Sequence, residues 1–163
     1  LHYLARLVEA GDLQSICRRI LVMASEDIGL AYPSAIMITK ACVDAAFQLG
    51  FPEARIPLAE AVIMLASAPK SNSAICAIDA ALSDVRSGNM GEIPAHLKDS
   101  HYAGASDLGH GANYKYPHSY KNSYVKQQYL PDTLKNSKYY IPSNNKMEKQ
   151  TEKYWDEIKK GDV

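Results

Sequence analysis

The stretch AIMITKACVDAAFQL (Ala35–Leu49) decides how this chain is to be read. Its only polar members are Thr39, Lys40, Asp44 and Gln48, and Lys40, Asp44 and Gln48 recur every fourth residue. That spacing makes one narrow polar stripe on an α-helix and leaves the rest of the circumference apolar. Such a helix is buried on most sides. Pro33, with its fixed φ and missing N–H, suits the opening turn.

The flanking segments have the same character. Towards the N-terminus, Leu13, Ile16, Cys17, Ile20, Leu21, Ala24 and Ile28 follow a 3-4-3-4 spacing after Asp12, a candidate N-cap, and Gly29 suits the stop. Leu1, Leu4 and Val8 before Gly11 read as the end of a further helix. Towards the C-terminus, Pro57–Ala68 has Glu60 as its sole charge, so it is the central helix or one that faces a second subunit. Ser71 and Ser73 are N-cap candidates for another helix, with Ala74, Ile75, Ile78, Ala81, Leu82 and Val85 on one face and Gly88 at its end. Residues 1–90 carry no hairpin signal, so the expected fold is mainly α: an antiparallel helical bundle over 1–90. Two helices with almost no polar face exceed what three short helices can cover. Self-association is therefore expected, with Leu58, Val62, Ile63 and Leu65 as candidate interface residues.

Residues 91–163 differ in kind. They hold 10 of the Val, Ile, Leu, Met, Phe and Cys residues against 33 before them, and nine of the 11 Tyr. So few apolar residues cannot form a separate core, and this half is expected to lie across the bundle as a loop-rich wrap within the same domain. One helical turn is expected in Glu92–Leu97, an ordered loop in His101–Tyr120, a turn in Ser123–Gln128 and a final helix at Lys149–Lys160 carrying Tyr154, Trp155 and Ile158.

The formal charge balances at zero, 18 basic against 18 acidic residues, which excludes a strongly basic nucleic-acid module. The balance conceals an excess of two acidic residues up to Met90 and two basic residues after it. The longest apolar run, Ala61–Ala66, is far below a membrane span, and no signal peptide opens the chain. Cys17, Cys42 and Cys76 fit neither a disulfide framework nor a CxxC zinc site; they read as core thiols of a reducing, cytoplasmic protein. His2, His96, His101, His110 and His118 lack metal-ligand spacing and read as solvated loop residues. Glu26 and Asp27 at a helix end read as cap and salt-link residues. No phosphate loop, nucleophile–base pair or other catalytic constellation is discernible, so no catalytic, cofactor or metal residues are assigned.

Two weaker signals remain. Lys70, Ser71 and Asn72 stand at a helix N-terminus, where backbone N–H groups receive anions, although a capping turn accounts for the same residues. Lysines and tyrosines interleave from Tyr114 to Tyr140. Lys115, Tyr116 and Lys126 are the candidates here for a single-stranded nucleic-acid groove, against a reading in which tyrosines staple the segment down and lysines solubilise it.

Five strings carry a resemblance. Ser25-Glu26-Asp27-Ile28-Gly29-Leu30-Ala31-x-Pro33, Ala68-Pro69-Lys70-Ser71-Asn72, Pro94-x-His96-Leu97, Gln127-Gln128-Tyr129-Leu130-Pro131-Asp132 and Tyr139-Tyr140-x-Pro142 occur in this order. Together they resemble the C-terminal region of the RarA/MgsA AAA+ ATPases, relatives of the Werner-helicase-interacting ATPase. The resemblance implies a replication-associated recombination protein acting at stalled or damaged forks. It implies that ATP and Mg are bound by an upstream domain, that this part builds a homotetramer like the collar of clamp loaders, and that DNA and single-strand-binding or replisome proteins are partners, in the cytoplasm or on the nucleoid. A chain opening at Leu1 in mid-helix also reads as a piece of something longer. Where several members have Gly-Lys-Gly, this chain has Gly109-His110-Gly111-Ala112; the lost positive charge weakens a DNA contact there.

Overall fold

A computed structural model describes residues 1–99, 103 and 111–160. The helices are α1 (His2–Glu9), α2 (Leu13–Met23), α3 (Ala35–Leu49), α4 (Arg55–Ser67), α5 (Ser73–Arg86) and α6 (Lys146–Lys160). Short turns lie at Ala95–Leu97, Pro117–Ser119, Lys121–Ser123 and Asp132–Leu134, and no strand occurs among the described residues. By its internal contacts the chain divides into two units: Leu1–Ala77 with Tyr140–Gln150, and Ile78–Tyr139 with Thr151–Val163.

In the first unit the predicted periodicities become a core. Asp12 caps α2, its carboxylate accepting from Ser15 N–H at 3.1 Å, which also lowers the pKa of the group. Ile16, Cys17 and Ile20 of α2 meet Ala35, Cys42, Val43 and Ala46 of α3 and Leu58, Ala61 and Leu65 of α4. α4 packs against α1, α2 and α3, and α2 likewise against α1, α3 and α4. After Met23 the chain widens into a π-turn, Ala24–Ile28, then tightens at Gly29–Ala31. Gly29 is required at that change. Its φ is +44°, and a Cβ there would lie 2.8 Å from the Ser71 carbonyl oxygen. That close approach holds the 70–73 segment against the end of α2, where Ser71 N–H donates to the Asp27 carbonyl at 2.9 Å.

Several expectations are corrected. Pro33 does not open α3; the helix begins at Ala35, with Pro33 in the preceding turn. α6 starts at Lys146, three residues before the expected Lys149. The turn expected over Ser123–Gln128 is replaced by one at Lys121–Ser123, after which Val125 is buried in an irregular segment. On α5 the expected apolar face is not buried: Ile78 and Val85 are half exposed and Cys76 is exposed, while Ser73 is the buried residue of the helix. A periodic stripe states which residues share a face and not what covers it. Part of the loop expected at His101–Tyr120, including His101, Gly109 and His110, lies outside the described residues.

In the second unit Val125, Leu134 and Ile158 are buried, and Trp155 meets Tyr124 edge-on at 6.0 Å. His96 Nε2–H donates to the Gln128 carbonyl at 2.7 Å, and the Gln128 amide donates to the Leu130 carbonyl and to Asp132. Gly91, at φ +63°, lies so near Pro131 that a Cβ would approach its side chain to 2.5 Å. Tyr139 donates to Asp84 at 2.8 Å, and that bond raises the phenol's pKa.

Candidate interaction surfaces

α3 and α4 each use one side for the core and expose large apolar side chains on the other, beside Lys40, Asp44 and Gln48 on α3 and Glu60 on α4. On α3, Met37 is 66% exposed and Phe47 54%; on α4, Ile56 is 61% exposed and Ile63 51%. The four candidate interface residues therefore separate. Leu58 and Leu65 are buried in the unit's own core and are not available to a partner; Val62 is half-buried; Ile63 faces out. A helix apolar all round has no sequence signal for which side its own chain covers, so the choice among these four is tertiary. Beside α1 and α4 an open cleft of about 500 Å³ is lined by Leu1, Leu4, Val8 and Ile56.

The Lys70–Ser71–Asn72 string performs structural work. Lys70 Nζ donates to the carbonyls of Ala68 at 2.6 Å, Leu65 at 2.8 Å and Ala66 at 3.4 Å, at the end of α4 where carbonyls lack N–H partners within the helix. Ser71 is buried and Asn72 is exposed. The Ser71 hydroxyl lies 3.0 Å from Ser73 Oγ and 3.1 Å from Ser143 Oγ.

These serines lead to a group the sequence reading missed. Glu148, in the first turn of α6, is 2% exposed. Its Oε1 accepts from Ser73 Oγ at 2.6 Å, Tyr140 Oη at 2.9 Å and Ser143 N–H at 3.3 Å, and its Oε2 accepts from the Asn145 amide. Asn145 Oδ1 in turn accepts from Glu148 N–H at 3.0 Å. This is a reciprocal helix cap, and its spacing, Asn145-x-x-Glu148, is the signal that would have found it. Burial pushes the carboxyl upward, but the hydrogen bonds from Ser71, Ser73, Asn145 and the Ser143 backbone outweigh it and hold the pKa at about 2.

In the second unit Gln127 clamps the backbone of Lys115, accepting from its N–H at 3.2 Å and donating to its carbonyl at 2.8 Å. Lys115, Tyr116 and Lys126 are all exposed, and the clamp sets the Lys115 backbone beside Gln127, the residue after Lys126. A neighbouring cleft of about 480 Å³ is lined by Lys126, Tyr129, Lys135 and Asn136. His118 Nδ1 pairs with Ser123 Oγ, His2 is exposed on α1 and His96 is bonded to Gln128. Among the described residues no three His, Cys, Asp or Glu side chains are grouped to hold a metal ion, and no helix is long and apolar enough to cross a membrane. Burial raises the pKa of Cys17 and Cys42, the latter further by the charge of Glu60.

A mainly α chain built on a helical core, with exposed apolar side chains on α3 and α4, defines the class. Residues 1–159 match the family model described as MgsA AAA+ ATPase C terminal. The chain belongs to that family. It is 58% identical over 161 residues to the replication-associated recombination protein A of Bacillus subtilis, covering 98% of this chain and 38% of that protein. It is 46% identical over 151 residues to an AAA domain-containing protein of Mycobacterium tuberculosis, covering 92% and 33%. It is 35% identical over 150 residues to replication-associated recombination protein A of Escherichia coli, covering 91% and 34%. The chain thus spans between a third and two fifths of the length of these relatives.

Proposed function

We propose that this chain is the self-associating C-terminal domain of an AAA+ ATPase that acts in replication-associated recombination and repair. The observation that carries the reading is the two-sided apolar character of α3 and α4: one side fills the core, while Met37, Phe47, Ile56 and Ile63 remain outside. In a tetramer these surfaces hold several ATPase modules together. ATP and Mg bind in the ATPase module, to residues that this chain does not supply, and the chain itself performs no chemistry. DNA and replisome or single-strand-binding proteins are its further partners, in the cytoplasm. The names of the relatives support the replication and recombination context. Light scattering at micromolar concentration is expected to give the mass of a tetramer; a monomer overturns the reading, most decisively if the ATPase part alone is a tetramer.

A second reading is favoured by the Gln127 clamp, which sets the Lys115 backbone beside the residue after Lys126: the Tyr/Lys surface binds single-stranded nucleic acid, with bases stacked on tyrosines and phosphates on lysines. If Lys115, Lys126 and Lys135 each neutralise one phosphate, the logarithm of the affinity for labelled single-stranded DNA falls with a slope of about 2 against that of salt. No binding in low salt eliminates this reading.

A further inference from the structure

We infer that the cleft lined by Lys126, Tyr129, Lys135 and Asn136 is a one-nucleotide site, in which a base from a single strand lies on the Tyr129 ring while its flanking phosphates meet Lys126 and Lys135. The inference rests on the second reading above, to which it adds the place, the residues and the part each plays. Residues 111–145 hold five lysines against a single acidic residue, Asp132, so the zero charge of the whole chain is not the charge of this segment. The Asp132 carboxylate accepts from the Gln128 amide at 2.9 Å, and among the described residues no acidic side chain lines the cleft. Lys126 and Lys135 are exposed and have no carboxylate partner among the described residues, whereas Lys40, Lys98 and Lys153 are each paired. Two ammonium groups without counter-charges beside one cleft favour an anion there.

The surroundings hold these groups in place. Each lysine follows a buried residue, Val125 before Lys126 and Leu134 before Lys135, which anchors the backbone that carries it. Tyr129 is half exposed, and its hydroxyl accepts from the Gln127 amide at 3.0 Å. Gln127 also holds both polar groups of the Lys115 backbone, so the ring is tied at its polar edge while half of the residue stays open to water. A ring tied in this way loses little freedom when a base stacks on it. The cleft, about 480 Å³, falls within the range of about 300 to 1,000 Å³ that takes small organic groups. Chemistry selects the occupant. An acidic peptide would answer the two lysines and make no use of the ring, whereas a single strand alternates phosphates with flat bases, as the cleft combines lysines with a tyrosine. In a duplex the base faces are covered by their neighbours, so the site favours single strands, and it accepts any base because every base has a face to stack.

The test is the fluorescence anisotropy of labelled oligothymidylate, and of a labelled duplex, titrated with this chain over a range of salt. Tyr129→Ala should weaken oligothymidylate binding about tenfold and leave duplex binding unchanged, whereas Tyr129→Phe, which keeps the ring, should stay within about threefold of the unsubstituted chain. Lys126→Ala with Lys135→Ala should lower the salt slope from about 2 to about 0.7, as two of three phosphate contacts are lost. If oligothymidylate binds the unsubstituted chain and these variants equally well, the one-nucleotide site is overturned and the second reading stands, with the strand elsewhere on the Tyr/Lys surface. If polyglutamate binds as tightly as oligothymidylate, the cleft takes an acidic chain and the nucleotide assignment is overturned. If oligothymidylate does not bind in low salt, the site and the second reading both fall.

Discussion

Replacing Glu148 by alanine should lower the unfolding free energy by about 3 kcal/mol, read as a shift of the urea midpoint at neutral pH. The carboxylate is buried, no ion pair to it occurs among the described residues, and it is held by Ser73, Tyr140, Asn145 and the Ser143 backbone. Removing it leaves those donors facing one another in a site closed to water. The pH dependence follows from the same geometry. The folded pKa of about 2 lies below the ordinary glutamate value of 4.5, so the folded state favours the ionised form. The corresponding stability is present above about pH 4.5 and disappears as the pH falls towards 2, a loss of about 3 kcal/mol at 1.36 per unit. Glu148→Gln, which cannot ionise, should be less stable than the unsubstituted chain at pH 7 and approach it near pH 2. A constant difference between the two over that range would show that the charge is not what the network holds.

Leu58→Ala should cost about 3 kcal/mol, within the usual range for a fully buried leucine, because the surrounding helices cannot close the space. Leu58 has no exposed surface and lies on α4, which packs against α1, α2 and α3. Ile63→Ala on the outer side of the same helix should change the stability of the isolated chain by less than about 0.5 kcal/mol. Circular dichroism during urea unfolding compares the two. Equal losses would mean that α4 is covered on both sides within a single copy.

These pairs show how far the chain can be read without its structure. The 3.6-residue periodicity of α1 to α3 and the Asp12 cap were legible because both depend on residues within four positions of one another. The family was legible as well, since five short strings keep their order along almost the whole chain. The candidate surface was legible only in part. Ile63 and Leu65 are two letters apart in the same apolar run, yet one faces out and the other is in the core, because α1, α2 and α3 arrive on one side of α4. Lys70 was a candidate anion contact at the start of α5 beside a capping reading of the same string, and the carbonyls ending α4 lie within its reach and take its donors.

Glu148 is the clearest division between the two kinds of information. By itself the sequence determined a helical chain with a surplus of apolar surface, because helix periodicity and hydrophobic content are local and additive properties. It also held, unread, the Asn145–Glu148 cap. Only the tertiary structure decided that this carboxylate would be buried against Ser73, 75 positions away, where neutral donors replace its hydration shell. Burial depends on which distant segments meet, and hydrogen bonds of this length form between whatever groups that meeting brings together.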